Sequence, residues 1–130
     1  MLRKGLAQVA GALVDPTVVW SFGRPGYRIH ALGFDPADLE VDLRGRVALV
    51  SGANAGIGLQ VARGLARRGA DLWLLCRNAE RGEGAARALR DEGGAGSVQL
   101  ALADVSELES LHRLVETLPC PHVDLLVHNA

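Results

Sequence analysis

Short apolar runs alternate with amphipathic stretches from residue 43 onward. The runs cover residues 47–50, 72–76, 98–102 and 123–127, and each has the length of a buried strand. Between them, apolar residues recur every three or four positions, which is typical of helices that pack on a sheet. This alternation predicts right-handed crossovers and a parallel sheet. We therefore expect an α/β fold with a doubly wound sheet in the strand order 3-2-1-4.

The connecting helices have recognisable ends. Two are predicted over residues 56–68 and 79–92, each followed by a glycine that ends the helix. The third is expected to begin after Ser106, because Ser106 and Glu109 have the spacing of a capping box. In the first helix, apolar residues are spaced by four: Ile57, Val61 and Leu65.

The turn after the first strand is rich in glycine. Gly52, Gly56 and Gly58 lie between an apolar strand and an amphipathic helix. Glycine allows a sharp turn and a close approach of the backbone to a ligand, and a helix N-terminus presents unpaired N–H groups. Together these features predict a cradle for a pyrophosphate in a Rossmann-type, dinucleotide-binding domain. The alternative is a tight turn that needs glycine for its geometry alone.

These motifs resemble those of the short-chain dehydrogenase/reductase family. Residues 51–58 read SGANAGIG and are similar to the family signature T-G-x-x-x-G-I-G. Asp104 matches an adenine-contacting aspartate, and residues 128–130 (HNA) resemble the start of the N-N-A-G motif. The likeness covers residues 43–130 in order and spacing. Within the family, the tract 76–82 is similar to the retinol-dehydrogenase-like branch, and the leader to the member-twelve type of the dehydrogenase/reductase series.

The resemblance implies which residues hold the cofactor. Asp104 would contact the adenine, and Asn129 would lie on the ribose side of the adenosine. The alternatives are a loop aspartate that caps the next helix and an ordinary turn asparagine. Ser51 replaces the usual threonine but keeps its hydroxyl, whereas His128 replaces the usual asparagine. The residues assigned to the pyrophosphate turn are Ser51, Gly52, Asn54, Gly56, Ile57 and Gly58.

The end of the second strand predicts the choice of cofactor. An acidic residue at this position accepts a hydrogen bond from the ribose 2′-OH and repels a 2′-phosphate. This chain has Cys76 there, followed by Arg77. Because a guanidinium pairs well with phosphate, the sequence favours NADP(H) over NAD(H), with Arg77 on the 2′-phosphate. The alternative is that Arg77 is a solvated charge after a strand.

The family resemblance implies hydride transfer between a nicotinamide and a carbonyl or alcohol, with a tyrosine whose pKa is lowered by a lysine four residues later. The chain has one tyrosine, Tyr27, and one lysine, Lys4, and they do not form this pair. We therefore expect a truncated domain: the cofactor-binding part of an NADP(H)-dependent oxidoreductase, inactive alone and without catalytic or metal-binding residues. The alternatives are a non-catalytic NADP(H)-binding sensor or interaction module, and a methyltransferase that binds S-adenosylmethionine.

Composition limits the kinds of binding partner that are expected. The formal net charge of −1 gives no electrostatic footprint for nucleic acid. Cys76 and Cys120 have no metal-ligand spacing, which favours a reducing compartment such as the cytoplasm, and Cys76 is expected to be a small buried residue. No run approaches the ~20 apolar residues of a membrane span. A membrane surface contacted by residues 1–35, organellar association and a homo-oligomer remain open.

The domain organisation is expected to have two parts. Residues 1–42 are expected to form a helical or irregular leader that packs on the following domain or lies on a membrane surface, and residues 43–130 to form the truncated dinucleotide-binding domain. Within the leader, Gly23, Pro25 and Gly26 are expected to break regular structure.

Overall fold

The computed structural model describes residues 23–35, 37 and 40–130. The chain divides into two units, one that ends at Val41 and one from Asp42 to Ala130. The amphipathic segment at the start of the predicted leader lies outside the described residues. In the described part of the chain, no helix is long and apolar enough to cross a membrane.

The first unit contains one helix for which the sequence analysis gave no bounds, α1 (Arg24–Ala31). The expectation that Pro25 breaks structure here was wrong because Pro25 lies in the first turn, where an amide has no partner within the helix. The rings of Tyr27 and Phe34 meet edge to face with centroids 6.2 Å apart. Both side chains remain mostly exposed.

The second unit is built on a four-stranded parallel sheet in the order β3-β2-β1-β4, which confirms the predicted fold class and strand order. In the register of the sheet, Val47 pairs with Asp71, and Ala48 pairs with Leu125. The last strand is shorter than the predicted range 123–127. The strands are β1 (Val47–Ser51), β2 (Asp71–Cys76), β3 (Ser97–Leu102) and β4 (Leu125–Val127).

Three helices cover the two faces of this sheet: α2 (Gly56–Ala66), α3 (Ala79–Glu92) and α4 (Leu108–Thr117). Alternate residues of a strand point to opposite faces, so each strand contributes to two cores. Leu72 and Leu74 pack with α2 and α3 in one core. Trp73 and Leu75 pack in the other core with Leu114 of α4. The helices thus fix the strand ends from both sides.

The buried face of α2 differs from the stripe suggested by the spacing of its larger apolar residues. Ile57 is 76% exposed. The buried positions are instead the small residues Gly58, Ala62 and Ala66, which also recur every four residues. Because these side chains are small, the helix lies close to the sheet and to the turn that precedes it.

Asp124 joins β1 to the segment before β4. Its carboxylate accepts hydrogen bonds from the Val47 amide and the Arg46 guanidinium, both at 2.8 Å. The Val47 amide, and after it Arg46, hold the pKa of Asp124 below its usual range. Nε2 of His122 lies 3.5 Å from the same carboxylate.

We expect Asp124→Asn to reduce the loss of stability in acid. Since the folded-state pKa lies below the unfolded value of about 3.9, the carboxylate stabilises the fold fully above that value. This contribution is lost as the pH falls through the folded-state pKa. Urea unfolding between pH 7 and pH 3 measures the difference, with Asp91→Asn on the exposed end of α3 as the control. Parallel pH profiles for the wild type and Asp124→Asn would contradict the role of Asp124.

Candidate functional site

A cavity of about 360 Å³ lies at the carboxyl ends of the parallel strands. The strands of a parallel sheet all have their carboxyl ends on the same side, so the segments that follow the strands meet there. Four residues singled out in the sequence line this cavity together: Gly52, Asn54, Arg77 and Asp104. The remaining lining residues are Leu75, Cys76, Ala103, Val105, Ser106 and Ala130.

The glycine turn requires glycine at specific positions. Gly52 and Gly56 have φ angles of +63° and +56°, in the region that L side chains rarely adopt. Gly58 is instead limited by space. A Cβ atom there would lie 2.6 Å from Nδ2 of Asn129 and closer still to the carbonyl oxygen of Gly52. The glycine turn can therefore keep this shape only if position 58, in the first turn of α2, has no side chain.

The N-terminus of α2 is not capped by a side chain. Its N-cap residue, Ala55, makes no side-chain hydrogen bond, and the first turn contains no acidic residue. By contrast, Oδ1 of Asn78 accepts a hydrogen bond from the Arg81 amide at 2.9 Å and caps α3. The uncapped N-terminus of α2, which follows the glycine turn, suits an anion such as a diphosphate.

Ser51 joins the end of β1 to the residues at and after the end of β4. Its side chain is buried, and its Oγ accepts hydrogen bonds from the amides of Asn129 at 2.9 Å and Ala130 at 3.2 Å. The hydroxyl also donates to the Val127 carbonyl at 3.3 Å. Nδ2 of Asn129 donates to the carbonyl of Gly52 at 3.5 Å, so this side chain lies against the turn and not in the lining of the cavity.

The end of β2 carries Cys76 and Arg77. Cys76 is buried and free, as expected for a small core residue. Burial raises the pKa of its thiol, while the backbone amides of Ala53 and Asn54 act in the opposite direction. This strand end presents no carboxylate to a ribose, and Arg77 is exposed at the rim of the cavity.

The loop before α4 corrects the predicted cap. Ser106 does not cap the helix: the N-cap is Glu107, without a side-chain bond. The amide and hydroxyl of Ser106 instead donate to Oδ1 of Asp104, at 2.9 and 2.7 Å, so Glu109 cannot use that amide. Ser106 and, more weakly, Arg77 hold the pKa of Asp104 below its usual range.

The sequence analysis missed Ser110. Oγ of Ser110 accepts a hydrogen bond from the Asp104 amide at 3.1 Å, across the loop. No motif indicated this residue, because the contact depends on how the loop returns to the helix. The neighbouring Val105, which is 41% exposed, was also not singled out although it lines the cavity.

Comparison with known proteins identifies the family. The short-chain dehydrogenase family model matches residues 46–130. The chain belongs to this family. It is 46% identical over 91 residues to human dehydrogenase/reductase SDR family member 13, covering 68% of this chain and 24% of that protein. With human member 12 it is 34% identical over 121 residues, or 88% of this chain and 38% of that protein.

The wider comparisons agree with the predicted branch and fold. Mouse retinol dehydrogenase 11 is 38% identical over 92 residues, which cover 69% of this chain and 29% of that protein. Among solved structures, L-sorbose reductase from Gluconobacter frateurii, complexed with NADPH and L-sorbose, matches with a TM-score of 0.65 and 34% identity. The match covers 70% of this chain and 35% of that one. The chain thus spans roughly a quarter to two fifths of the length of these relatives.

Proposed function

We propose that this chain is the cofactor-binding part of an NADP(H)-dependent short-chain oxidoreductase that acts on a carbonyl or alcohol. The observation that carries the proposal is the meeting of Gly52, Asn54, Arg77 and Asp104 in one cavity at the carboxyl end of the sheet. The NADPH in the complex of the similar L-sorbose reductase supports the choice of cofactor.

Each part of the site would hold one part of the dinucleotide. The amides of the α2 N-terminus, which no side chain caps, would bind the diphosphate beside the glycine turn. Arg77 would pair with the 2′-phosphate, Asp104 would accept a hydrogen bond from the adenine amino group, and Asn129 would lie on the ribose side of the adenosine. When bound, the nicotinamide supplies or accepts the hydride. The contribution of this chain is to bind and orient the cofactor.

We further propose that the chain alone binds the cofactor without turnover. It has no Tyr-x-x-x-Lys pair, so the proton donor used by the family is absent from this sequence. The substrate of a longer protein that contains these residues is a small carbonyl or alcohol in this proposal.

Calorimetric titration with NADP+ and NAD+ tests this function. We expect NADP+ to bind at least about tenfold more tightly, which corresponds to about 1.4 kcal/mol. A companion assay follows NADPH absorbance with a panel of aldehydes and ketones, and no oxidation is expected. Equal affinities would remove the assignment of Arg77, and no binding of either nucleotide would contradict the proposal. Measurable carbonyl reduction would contradict the lack of turnover.

A non-catalytic interaction module is the second candidate, and exposed apolar side chains favour it. Leu108 and Val115 of α4 and Leu126 of β4 are each more than half exposed. A partner subunit or a second copy of the chain would cover them. Light scattering with and without NADPH tests the second copy: a dimer that forms only with the cofactor supports a sensor, and a monomer in both states contradicts self-association.

The location in the cell stays a prediction. We propose the reducing cytoplasm, supported by the free thiols of Cys76 and Cys120, with a membrane surface as a possible contact of residues 1–35. Fractionation of cells that express the tagged chain tests both statements, and recovery from an oxidising compartment would contradict the first.

A further inference from the structure

In the loop between β3 and α4, three groups of Asp104 make hydrogen bonds: its amide, its carbonyl and its carboxylate. The amide of Asp104 donates to Oγ of Ser110, and its carbonyl accepts from the Glu107 amide at 3.1 Å. Its Oδ1 accepts two hydrogen bonds from Ser106. Within the described part of the chain, Oδ2 is left without a hydrogen-bond partner. Asp104 therefore has a main chain held at its amide and its carbonyl, one carboxylate oxygen held by Ser106, and one oxygen available to a ligand.

Of these contacts to Asp104, the one made by Ser110 comes from a helix. Ser106 and Glu107 belong to the loop itself, whereas Ser110 lies in the first turn of α4. Leu114, four residues later and thus on the same side of the helix, is buried in the core against the sheet. The position of the Ser110 hydroxyl is therefore fixed by core packing, and the Asp104 amide is fixed by that hydroxyl.

We propose that Ser110 is a positioning residue for the adenine half of the cofactor site. Its hydroxyl holds the main chain of Asp104 so that the loop lines the cavity beside Arg77. The inference rests on the proposed function, because the ligand that the loop recognises is the adenosine 2′-phosphate portion of the dinucleotide. Ser110 itself is not among the residues that line the cavity, so it acts through Asp104.

The test uses the full chain and adenosine 2′,5′-bisphosphate, a probe that carries the adenine and the 2′-phosphate but no nicotinamide. Ser110→Ala is expected to weaken its binding about three- to tenfold, which corresponds to about 0.7–1.4 kcal/mol and is typical of one lost hydrogen bond. Amide hydrogen exchange at Asp104 is expected to become faster in the same variant. Ser110→Thr, which keeps the hydroxyl, is expected to restore both values.

Ser97→Ala is the matched control. The Ser97 hydroxyl also makes one part-buried hydrogen bond, to Oδ1 of Asp71 at 2.7 Å. This bond lies at the start of β3, at the amino ends of the strands and opposite the cavity. This variant is expected to lower stability without changing the affinity for the probe. Equal weakening by Ser97→Ala and Ser110→Ala would reduce Ser110 to a general structural role and overturn the proposal.

The two proposals fail in different ways. If the wild-type chain does not bind the bisphosphate, the proposed function is wrong. Amide exchange then still decides whether Ser110 holds the main chain of Asp104: faster exchange at Asp104 in Ser110→Ala but not in Ser97→Ala supports this contact, and unchanged exchange overturns it. If the wild type binds and Ser110→Ala binds equally well, only the role of Ser110 is wrong.

Discussion

Gly58→Ala is expected to weaken NADP+ binding by up to about 100-fold. The added Cβ would meet the carbonyl oxygen of Gly52 and Nδ2 of Asn129, and neither atom can easily move. The first belongs to the backbone of the turn, and Asn129 is tied through its amide to Ser51. Overpacking of this kind costs about 1–3 kcal/mol, and about 1.4 kcal/mol is a factor of ten in affinity. Calorimetry with NADP+ measures the loss.

Gly64→Ala is the control within the same helix. A Cβ there would meet only Nη1 of Arg68, at an ordinary 3.8 Å. Because glycine disfavours a helix interior by about 0.5–1 kcal/mol relative to alanine, this variant is expected to be slightly more stable and to bind NADP+ normally. Equal binding by Gly58→Ala and Gly64→Ala would show that close packing of α2 on the turn is unnecessary for the cofactor.

Circular dichroism separates a binding defect from unfolding. If Gly58→Ala does not fold, Gly56→Ala takes its place. A Cβ at Gly56 would meet no atom within 4 Å, so this variant tests only the positive φ angle of the turn. A left-handed backbone costs a non-glycine residue roughly 1–2 kcal/mol, which predicts a smaller loss of affinity. Unchanged NADP+ binding by this folded variant would contradict the need for the observed turn geometry.

The sheet could be predicted because buried parallel strands leave a simple signal. Each strand is an apolar run, and the crossover rule and the position of the glycine turn then fix the order β3-β2-β1-β4. Helix α3 could be predicted to the residue, Ala79–Glu92, because Asn78 caps its start and Gly93 follows its end. These signals are local, so neighbouring residues alone determine them.

The wrong expectations for the buried face of α2 and for the cap of α4 have a common physical origin. Both features depend on tertiary contacts, which the local sequence pattern does not contain. The buried face of α2 consists of Gly58, Ala62 and Ala66, because the helix approaches the turn too closely for larger residues. Ser106 has the spacing of a capping box, but its amide donates to Asp104 and not to Glu109, and the helix begins one residue later. Such competition is decided by loop geometry and cannot be predicted from spacing alone.

The candidate site shows the same division. Gly52 and Arg77 could be selected because each follows a strand, and parallel topology brings strand ends together, whereas Asp104 was selected from the family resemblance. Ser110 could not, because it follows no strand and reaches the site only through the amide of Asp104. Residues at strand ends thus leave a stronger sequence signal than a residue that contacts one of them from a neighbouring helix.

Arg77→Gln is expected to lower the affinity for NADP+ about 10- to 100-fold and to leave the affinity for NAD+ unchanged. Arg77 is exposed at the cavity rim, where a hydrogen bond to a charged phosphate contributes about 1.5–3 kcal/mol. NAD+ does not gain, because the preceding Cys76 offers no carboxylate to the ribose 2′-OH. Calorimetric titrations with both nucleotides measure the ratio. The salt dependence of NADP+ binding should also become weaker, since an exposed ion pair is screened.

Arg87→Gln separates a specific contact from net charge. Arg87 is exposed on α3 and does not line the cavity, so its removal changes the charge of the chain equally without touching the site. Because salt screens exposed charges that make no direct contact, its effect on NADP+ binding should stay within about twofold. Equal losses in Arg77→Gln and Arg87→Gln would mean that overall charge attracts the nucleotide. An equal loss for NAD+ and NADP+ in Arg77→Gln would place the guanidinium away from the 2′-phosphate, since only NADP+ carries that group.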